Sequence, residues 1–429
     1  MSRAFICIVL FVVIAVSSVT ATTIHVPADT ATIQGGIDMA VNGDTVLVAE
    51  GHYYERINFN SKSILLTSEF MLDGDTLHIQ NTIIDADTLV LGVADTGSVV
   101  CFVNGEDSTS VIQGFTIQKG IGTIEFETYR RGGGIYCSSS DPTISNNTIS
   151  NNSISENVSS RNYGGGIYCR FHSSPTINNN TIAENSALSY LSYSGGIYFR
   201  YSSSTISNNT ITGNSAVIGG GISCENIYSI TLANNTITGN SAEWYGGGIF
   251  CRNRNPIVVN TILWANIANF GGNEIYIDSD SSIIINYSDI QGGWEGEGNI
   301  DCDPMFCNLD DNNYYLAENS CCLGAGEGGI DIGALGVGCS GYPYLMGDAN
   351  MSLGLWPPSV IGSDVTYMSH FFMGMYNPPC LIYGFWASAD INGDCMIIGS
   401  DAVKLVRYFK GKDVISFCPA YPPLWSSSG

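Results

Sequence analysis

Asp390, Asn392, Asp394 and Asp401 stand at positions 1, 3, 5 and 12 of the run Asp390-Ile391-Asn392-Gly393-Asp394-Cys395-Met396-Ile397-Ile398-Gly399-Ser400-Asp401. Each brings a hard side-chain oxygen, and Met396 at position 7 adds its backbone carbonyl. A twelve-residue loop with that spacing suits Ca²⁺, which takes roughly 6–8 oxygen ligands. An upstream copy keeps Asp348, Asn350 and Asp364, has Ser352 at the fifth position, and carries an insertion around Trp356-Pro357-Pro358. Ile361-Gly362-Ser363-Asp364 and Phe372-Met373-Gly374 recur at one constant offset as Ile398-Gly399-Ser400-Asp401 and Phe409-Lys410-Gly411. An apolar-faced helix is expected after the second loop, packing Val403, Val406, Tyr408 and Phe409. The alternative is an acidic turn that holds no metal.

A second constellation lies mid-chain. Tyr136, Tyr168, Tyr198 and Phe250 occupy equivalent places in a repeated segment, with Arg170, Arg200 and Arg252, and Glu225 between the last two, in a matching column. Sugar rings stack on aromatic faces and guanidinium forks grip carboxylates, so an outward column of this kind suits a glycan. The competing reading is sheet stabilisation, in which each stacked or charge-paired neighbour contributes about 0.2–1 kcal/mol. Cys137, Cys169, Cys224 and Cys251 form another column. A buried Cys is commonly a small hydrophobe, and Phe199 in the same slot points to apolar packing rather than metal binding. Of the histidines, His25, His52 and His78 fall early, His172 in a corner and His370 near the C-terminus; none sits in a recognisable catalytic setting.

The elements that hold these residues repeat. Gly132-Gly133-Gly134-Ile135-Tyr136-Cys137 recurs at Gly164–Cys169, Gly195–Phe199, Gly219–Cys224 and Gly246–Cys251, with successive isoleucines 25 to 32 residues apart. Asn146-Asn147-Thr148-Ile149 interleaves and recurs at 179–182, 208–211 and 234–237. A period of this size marks a stacked array. Each unit reads as three short strands with period-two alternation, separated by Asn, Ser and Gly corners. Stacked coils pair each strand with its copy about 4.8 Å away and bury a continuous apolar column. Ile135, Ile167, Ile197, Ile222 and Ile249 are expected inside. Asn147, Asn180, Asn209 and Asn235, with Asn152, Asn185, Asn214 and Asn240, are expected to form corner ladders of amide hydrogen bonds. The fold class is all-β, a right-handed parallel β-helix, with a small α-helical calcium-binding module behind it.

Composition narrows the function. The 429 residues carry 15 Lys+Arg against 39 Asp+Glu, a net charge of −24. So few cations cannot build a phosphate-tracking stripe, which excludes nucleic acid as a partner. Arg3, the apolar run Ala4–Val16 and small residues at Val19 and Ala21 spell a signal peptide over 1–21, cleaved after Ala21, and hence secretion to the exterior or the cell surface. The run is shorter than the roughly 20 residues that span a bilayer. Removing Cys7 leaves an odd number of cysteines in an oxidising compartment, so at least one is unpaired within the chain.

The 22–340 region resembles the pectin-lyase-like right-handed β-helix superfamily. Thr32-Ile33-Gln34-Gly35-Gly36-Ile37-Asp38-Met39-Ala40, then Asn42–Val48 and Gly51-His52-Tyr53-Tyr54-Glu55, are similar to the capping helix and first coil of secreted members. Cys302, Cys307, Cys321, Cys322 and Cys339 cluster where the last coil ends and are expected to seal it with disulfides of undetermined pairing. The resemblance implies polysaccharide as partner. The Asn-Thr-Asp, Asp-Asp and Gly-His-Gly signatures of the superfamily's polygalacturonases are missing, so binding or scaffolding leads, with a polysaccharide lyase or glycoside hydrolase as the alternative. After a linker over 341–345, residues 346–418 resemble a dockerin, which implies calcium and a cohesin-like partner; 419–429 form a tail. This sequence departs from dockerins at Cys395, where the turn usually takes Gly, and at Gly362/Ser363 and Gly399/Ser400, where a cohesin-contacting pair usually stands.

Overall fold

The computed structural model describes residues 21–87, 97–125, 129–155, 161–253, 255–278, 281–309 and 311–340. The segments expected to be a signal peptide (before Ala21), a linker (341–345), a calcium module (346–418) and a tail (419–429) lie outside the described residues. The chain between Thr23 and Asn286 winds through stacks of short parallel strands. Sheet I has eight strands, among them Ile135–Ser138, Ile167–Arg170, Ile197–Arg200, Ile222–Glu225 and Ile249–Arg252. Sheet II runs ten strands from Thr23–Val26 to Ile284–Asn286, and sheet III nine from Gly51–Tyr54 to Asp289–Ile290. This is the all-β parallel helix expected. Among the described residues no helix is long and apolar enough to cross a membrane.

The expectation of three strands per coil is corrected to four. Ser186–Leu188, Ser215–Ile218 and Ser241–Tyr245 belong to a five-stranded sheet IV. The register position that Ile154 opens is filled in these three strands by Ala187, Ala216 and Ala242, all buried. An Ala at the repeated position carries little apolar signal, which is why the pattern hides this strand.

Register explains the rest of the sequence. Ile135, Ile167, Ile197, Ile222 and Ile249 pair in succession, and all lie fully buried in the main core. The cysteine column and Phe199 join them there. Gly132 opens the glycine run with φ +58°, a conformation that costs an L side chain about 1–2 kcal/mol. Gly133 is needed for a different reason, since a Cβ there would sit 2.2 Å from the carbonyl oxygen of Gly165 in the next coil. In the coil with only two glycines Ser194 takes the left-handed position, and its hydroxyl donates to the Ile197 and Gly221 carbonyls.

One open end of the core is closed by the helix Ile33–Met39, which buries Ile33, Gly36 and Ile37. Thr32 Oγ1 accepts the Gly35 N–H at 3.0 Å, and the Glu55 carboxylate accepts those of Ile33 and Gln34, so the helix's first amides are satisfied. At the other end Trp294 packs against the core. Cysteine bridges do not close that end directly. Cys302–Cys321 and Cys307–Cys339 instead staple a lobe built on Phe306–Asn308, Asn313–Ala317 and Val337–Cys339. The lobe doubles back over the outer side of sheet III, where Ile262 joins Phe306, Tyr314 and Leu316 in a separate apolar cluster.

Candidate functional site

Tyr136, Tyr168, Tyr198 and Phe250 point away from the main core, as strand alternation requires. They do not form a surface. Tyr168 and Tyr198 are 1% and 0% exposed, and Tyr136 and Phe250 are buried too. The rings stack at centroid distances of 5.7 Å for Tyr136–Tyr168 and 5.3 Å for Tyr168–Tyr198. Tyr163, Tyr193, Val217 and Ile218 cover them and complete a second hydrophobic core. Tyr163 and Tyr193 directly precede Gly164 and Ser194, whose left-handed backbone turns the chain back across sheet I. Arg131 lies over the Tyr168 ring at 5.7 Å. Burial pushes the Tyr168 hydroxyl up to about 12, so it stays neutral. The expectation of a solvent-facing ladder at these four positions is thereby corrected, because a layer from between sheets IV and I lies on top of it.

The arginine column stands in the register expected, with Arg170 against Arg200, Arg200 against Glu225 and Glu225 against Arg252. Arg252 Nε pairs with Asp278 at 3.1 Å. Glu225 accepts the Tyr198 hydroxyl. Arg170 is buried rather than outward-facing as expected, and lies over the Tyr136 ring at 5.7 Å and the Phe171 ring at 4.0 Å, while Arg200 lies over Tyr201 at 5.3 Å.

Phe171 and Tyr201 belong to a group of exposed aromatic residues that the columns do not reveal. Phe171, Tyr201 and Tyr228 are 45%, 38% and 50% exposed, and His172 is exposed beside them. They occupy the corner between sheets I and II in successive coils: the His172 N–H donates to Tyr201 O at 2.7 Å, and the Tyr228 N–H to Ser202 O at 2.9 Å. His172 stacks on Tyr228 at 5.1 Å. Phe171, His172 and Tyr201 have φ of 52°, 62° and 50°, whereas the same corner is turned by Ser139, Asn226 and Asn253 in other coils. Asn tolerates that conformation far better than Phe or Tyr, which hold it at a cost of about 1–3 kcal/mol each.

A groove of about 450 Å³ runs along sheet III where the lobe ends. Its walls mix hydroxyls and amides with apolar surface from Ala183 and Leu335, with Thr148, Thr181 and Thr210 from one column, Glu184 at the corner and Tyr314 from the lobe. The Tyr314 hydroxyl is 2.7 Å from Thr212 Oγ1, which fixes the lobe against the sheet.

A charged cluster marks the first coils. His52 Nε2 is 2.8 Å from Asp85 Oδ2, and Lys119 Nζ bridges Asp85 and Asp87 at 3.2 Å each. Burial raises the Asp85 carboxyl, but hydrogen bonds from Gln118, His52, the Asp87 amide and Lys119 outweigh it and hold the group below its ordinary range. Tyr54 stacks on the imidazole at 4.3 Å.

Residues 73–263 match the family model for a right handed beta helix region. That stretch is a right-handed β-helix. It spans the repeated coils, both asparagine ladders and the aromatic corner, and stops short of the lobe. No curated protein matches the chain. The residues expected to ligate calcium, Asp348, Asn350, Asp364, Asp390, Asn392, Asp394, Met396 and Asp401, all lie outside the described residues.

Proposed function

We propose that the chain is a secreted or cell-surface β-helix that binds polysaccharide on its flank and is held in place by a calcium-stabilised, dockerin-like module. One observation carries the binding reading. Phe171, His172 and Tyr201 occupy left-handed corner positions that the neighbouring coils give to Ser and Asn, and with Tyr228 they leave aromatic rings in solvent beside Arg170 and Arg200. Strain of that kind concentrates where it serves binding. Rings at coil spacing offer a sugar chain successive stacking faces, and the guanidinium groups polarise them and favour carboxylated sugars. The groove on sheet III, lined in part by hydroxyls, is a second surface on the same shaft.

The module reading rests on the ligand spacing of Asp390, Asn392, Asp394, Met396 and Asp401, with Asp348, Asn350 and Asp364 supplying a first site. Its partner would be a cohesin-like protein. Affinity electrophoresis of the full chain through gels loaded with acidic or neutral polysaccharides tests the binding reading. Retention that weakens in a Phe171→Ala/Tyr201→Ala/Tyr228→Ala variant supports it, and unretarded migration in every gel removes it.

A second reading, a polysaccharide lyase or glycoside hydrolase, is favoured by His52. Its hydrogen bond to buried Asp85 fixes the ring as a general base or acid would require. Release of unsaturated or reducing ends that disappears in His52→Ala would establish that reading in place of simple binding.

A further inference from the structure

The lobe holds a cluster that neither the glycan nor the calcium reading uses. Asp289 opens the last strand of sheet III and is fully buried. Its Oδ1 accepts the Cys302 N–H at 3.1 Å, and its Oδ2 faces the Cys322 thiol at 3.2 Å. Cys322 is also fully buried and has no disulfide partner. The donor atoms of Asp289, Cys321 and Cys322 all lie within 4.8 Å of one another, and Cys302 Sγ is bonded to Cys321 Sγ. Two sulfurs and one carboxylate oxygen therefore converge on one point, and Cys302 Sγ, bonded to one of those sulfurs, is the neighbouring donor. Among the described residues no Lys, Arg or His pairs with Asp289. A buried carboxylate beside a buried thiol, with no cation near, is an arrangement that a divalent metal would compensate.

We propose that Asp289, Cys302, Cys321 and Cys322 form a redox-gated site for a thiophilic divalent metal of the zinc class. Four donors of S and O type match the tetrahedral preference of Zn²⁺. With Zn–S bonds of about 2.3 Å, neighbouring donors sit about 3.8 Å apart, so Asp289, Cys321 and Cys322 need shifts of about an ångström to close on an ion, while the Cys302 and Cys321 sulfurs part by about 2 Å once their bond is reduced. In the disulfide state Cys302 and Cys321 are withheld and the site is shut. An external dithiol opens it: the dithiol gives up two electrons and two protons and becomes a disulfide, while the Cys302–Cys321 bond breaks to two thiols. Metal entry then displaces the protons of the three thiols, and of Asp289 where it is protonated, to solvent. Cys307–Cys339 takes no part, since neither sulfur belongs to the cluster. A plain packing role accounts for the burial of Cys322 but not for the carboxylate facing its thiol.

Cobalt(II) is the probe, because thiolate ligation gives ultraviolet charge-transfer and visible d–d bands that oxygen sites such as calcium loops do not. The full chain is titrated with Co²⁺ oxidised and after phosphine reduction, beside Cys322→Ser, Asp289→Asn and Cys307→Ser, with circular dichroism reporting the fold. One equivalent of thiolate-bound cobalt is expected in the reduced wild type and in Cys307→Ser, none in the oxidised chain, and a loss of at least tenfold in affinity in Cys322→Ser. Absence of thiolate bands in the folded, reduced wild type overturns the proposal. So does their survival at full strength in both Cys322→Ser and Asp289→Asn, which would assign them to other cysteines. If Cys322→Ser fails to fold, the oxidised-against-reduced comparison and Asp289→Asn decide.

Discussion

Asn209 Oδ1 accepts two hydrogen bonds from Asn180, one from its backbone N–H at 2.9 Å and one from its side-chain Nδ2 at 3.0 Å. Asn209 passes the same pair on to Asn235 Oδ1 and spends its remaining amide proton on the Ile177 and Ser207 carbonyls. The unit repeats from Asn147 and, in a second ladder, from Asn152. Each amide thus satisfies backbone groups that the sharp corner takes out of the sheets, inside a core where water cannot.

Asn209→Ala should therefore cost more than the side chain's size suggests. It strands the Asn180 amides and the Ile177 carbonyl at once, and about 1–3 kcal/mol per buried unpaired group puts the total near 3 kcal/mol or above. Urea unfolding followed at the far-ultraviolet β signal measures it. Asn209→Asp should be no better, since it sets a carboxylate against the Ile177 carbonyl.

The second ladder ends on Glu274. Its carboxylate accepts both the backbone and side-chain N–H of Asn266, where an Asn oxygen would stand in any earlier coil. Burial pushes Glu274 up to about 7, against partial relief from those hydrogen bonds. Asp289 is also pushed up to about 7, by burial first. Both bind protons more tightly folded than unfolded, so the stability these two groups contribute should be fully present below the unfolded carboxyl values and fall as pH rises toward 7. For Glu274 the loss is on the order of 3 kcal/mol. Glu274→Gln, which keeps one acceptor for both donors, should remove about half the slope of urea midpoint against pH and leave the variant more stable than the parent at pH 8.

Coil contact sets another expectation. Gly133→Ala brings a Cβ within 2.2 Å of a backbone carbonyl that cannot move without parting two coils. Gly105→Ala meets nothing within 4 Å and pays only for its left-handed φ of 78°. Thermal melts should show Gly105→Ala losing about 1–2 kcal/mol, and Gly133→Ala losing clearly more or failing to fold.

Calcium should bind outside the β-helix. Calorimetric titration of the full chain is expected to show sites that Asp390→Ala reduces by one, because a loop short of one hard oxygen loses its ion. Asp348→Ala should remove the other. Heats unchanged in Asp390→Ala would contradict the loop assignment.

Much of the shaft is legible in the sequence because each coil repeats its own constraints. The isoleucine column, the two asparagine ladders and the capping segment at Thr32 can all be read from spacing. The layer over Tyr168 and Tyr198 is not, although the residue ahead of the left-handed position in the last four of the five repeats, Tyr163, Tyr193, Ile218 and Tyr245, is a signal that could have revealed it. Alternation states which way a side chain points and says nothing of what the chain later lays over it. Glu274 looks like a break in the glycine motif, yet it stands where no further coil would meet its Cβ. Phe171 and Tyr201 do not stand out in the sequence, because their exposure depends on a left-handed backbone that no periodicity marks.

Tyr198 and Tyr201, three residues apart on one coil, separate packing from binding most directly. Melting temperature and polysaccharide affinity are to be measured side by side for Tyr198→Ala and Tyr201→Ala. Tyr198→Ala is expected to lose about 3–5 kcal/mol of stability, as deletion of a buried ring does. Tyr201→Ala is expected to melt close to the parent while binding polysaccharide about tenfold more weakly, the worth of one aromatic stacking contact. If Tyr201→Ala binds as well as the parent, or melts as low as Tyr198→Ala, the exposed corner is not a glycan platform.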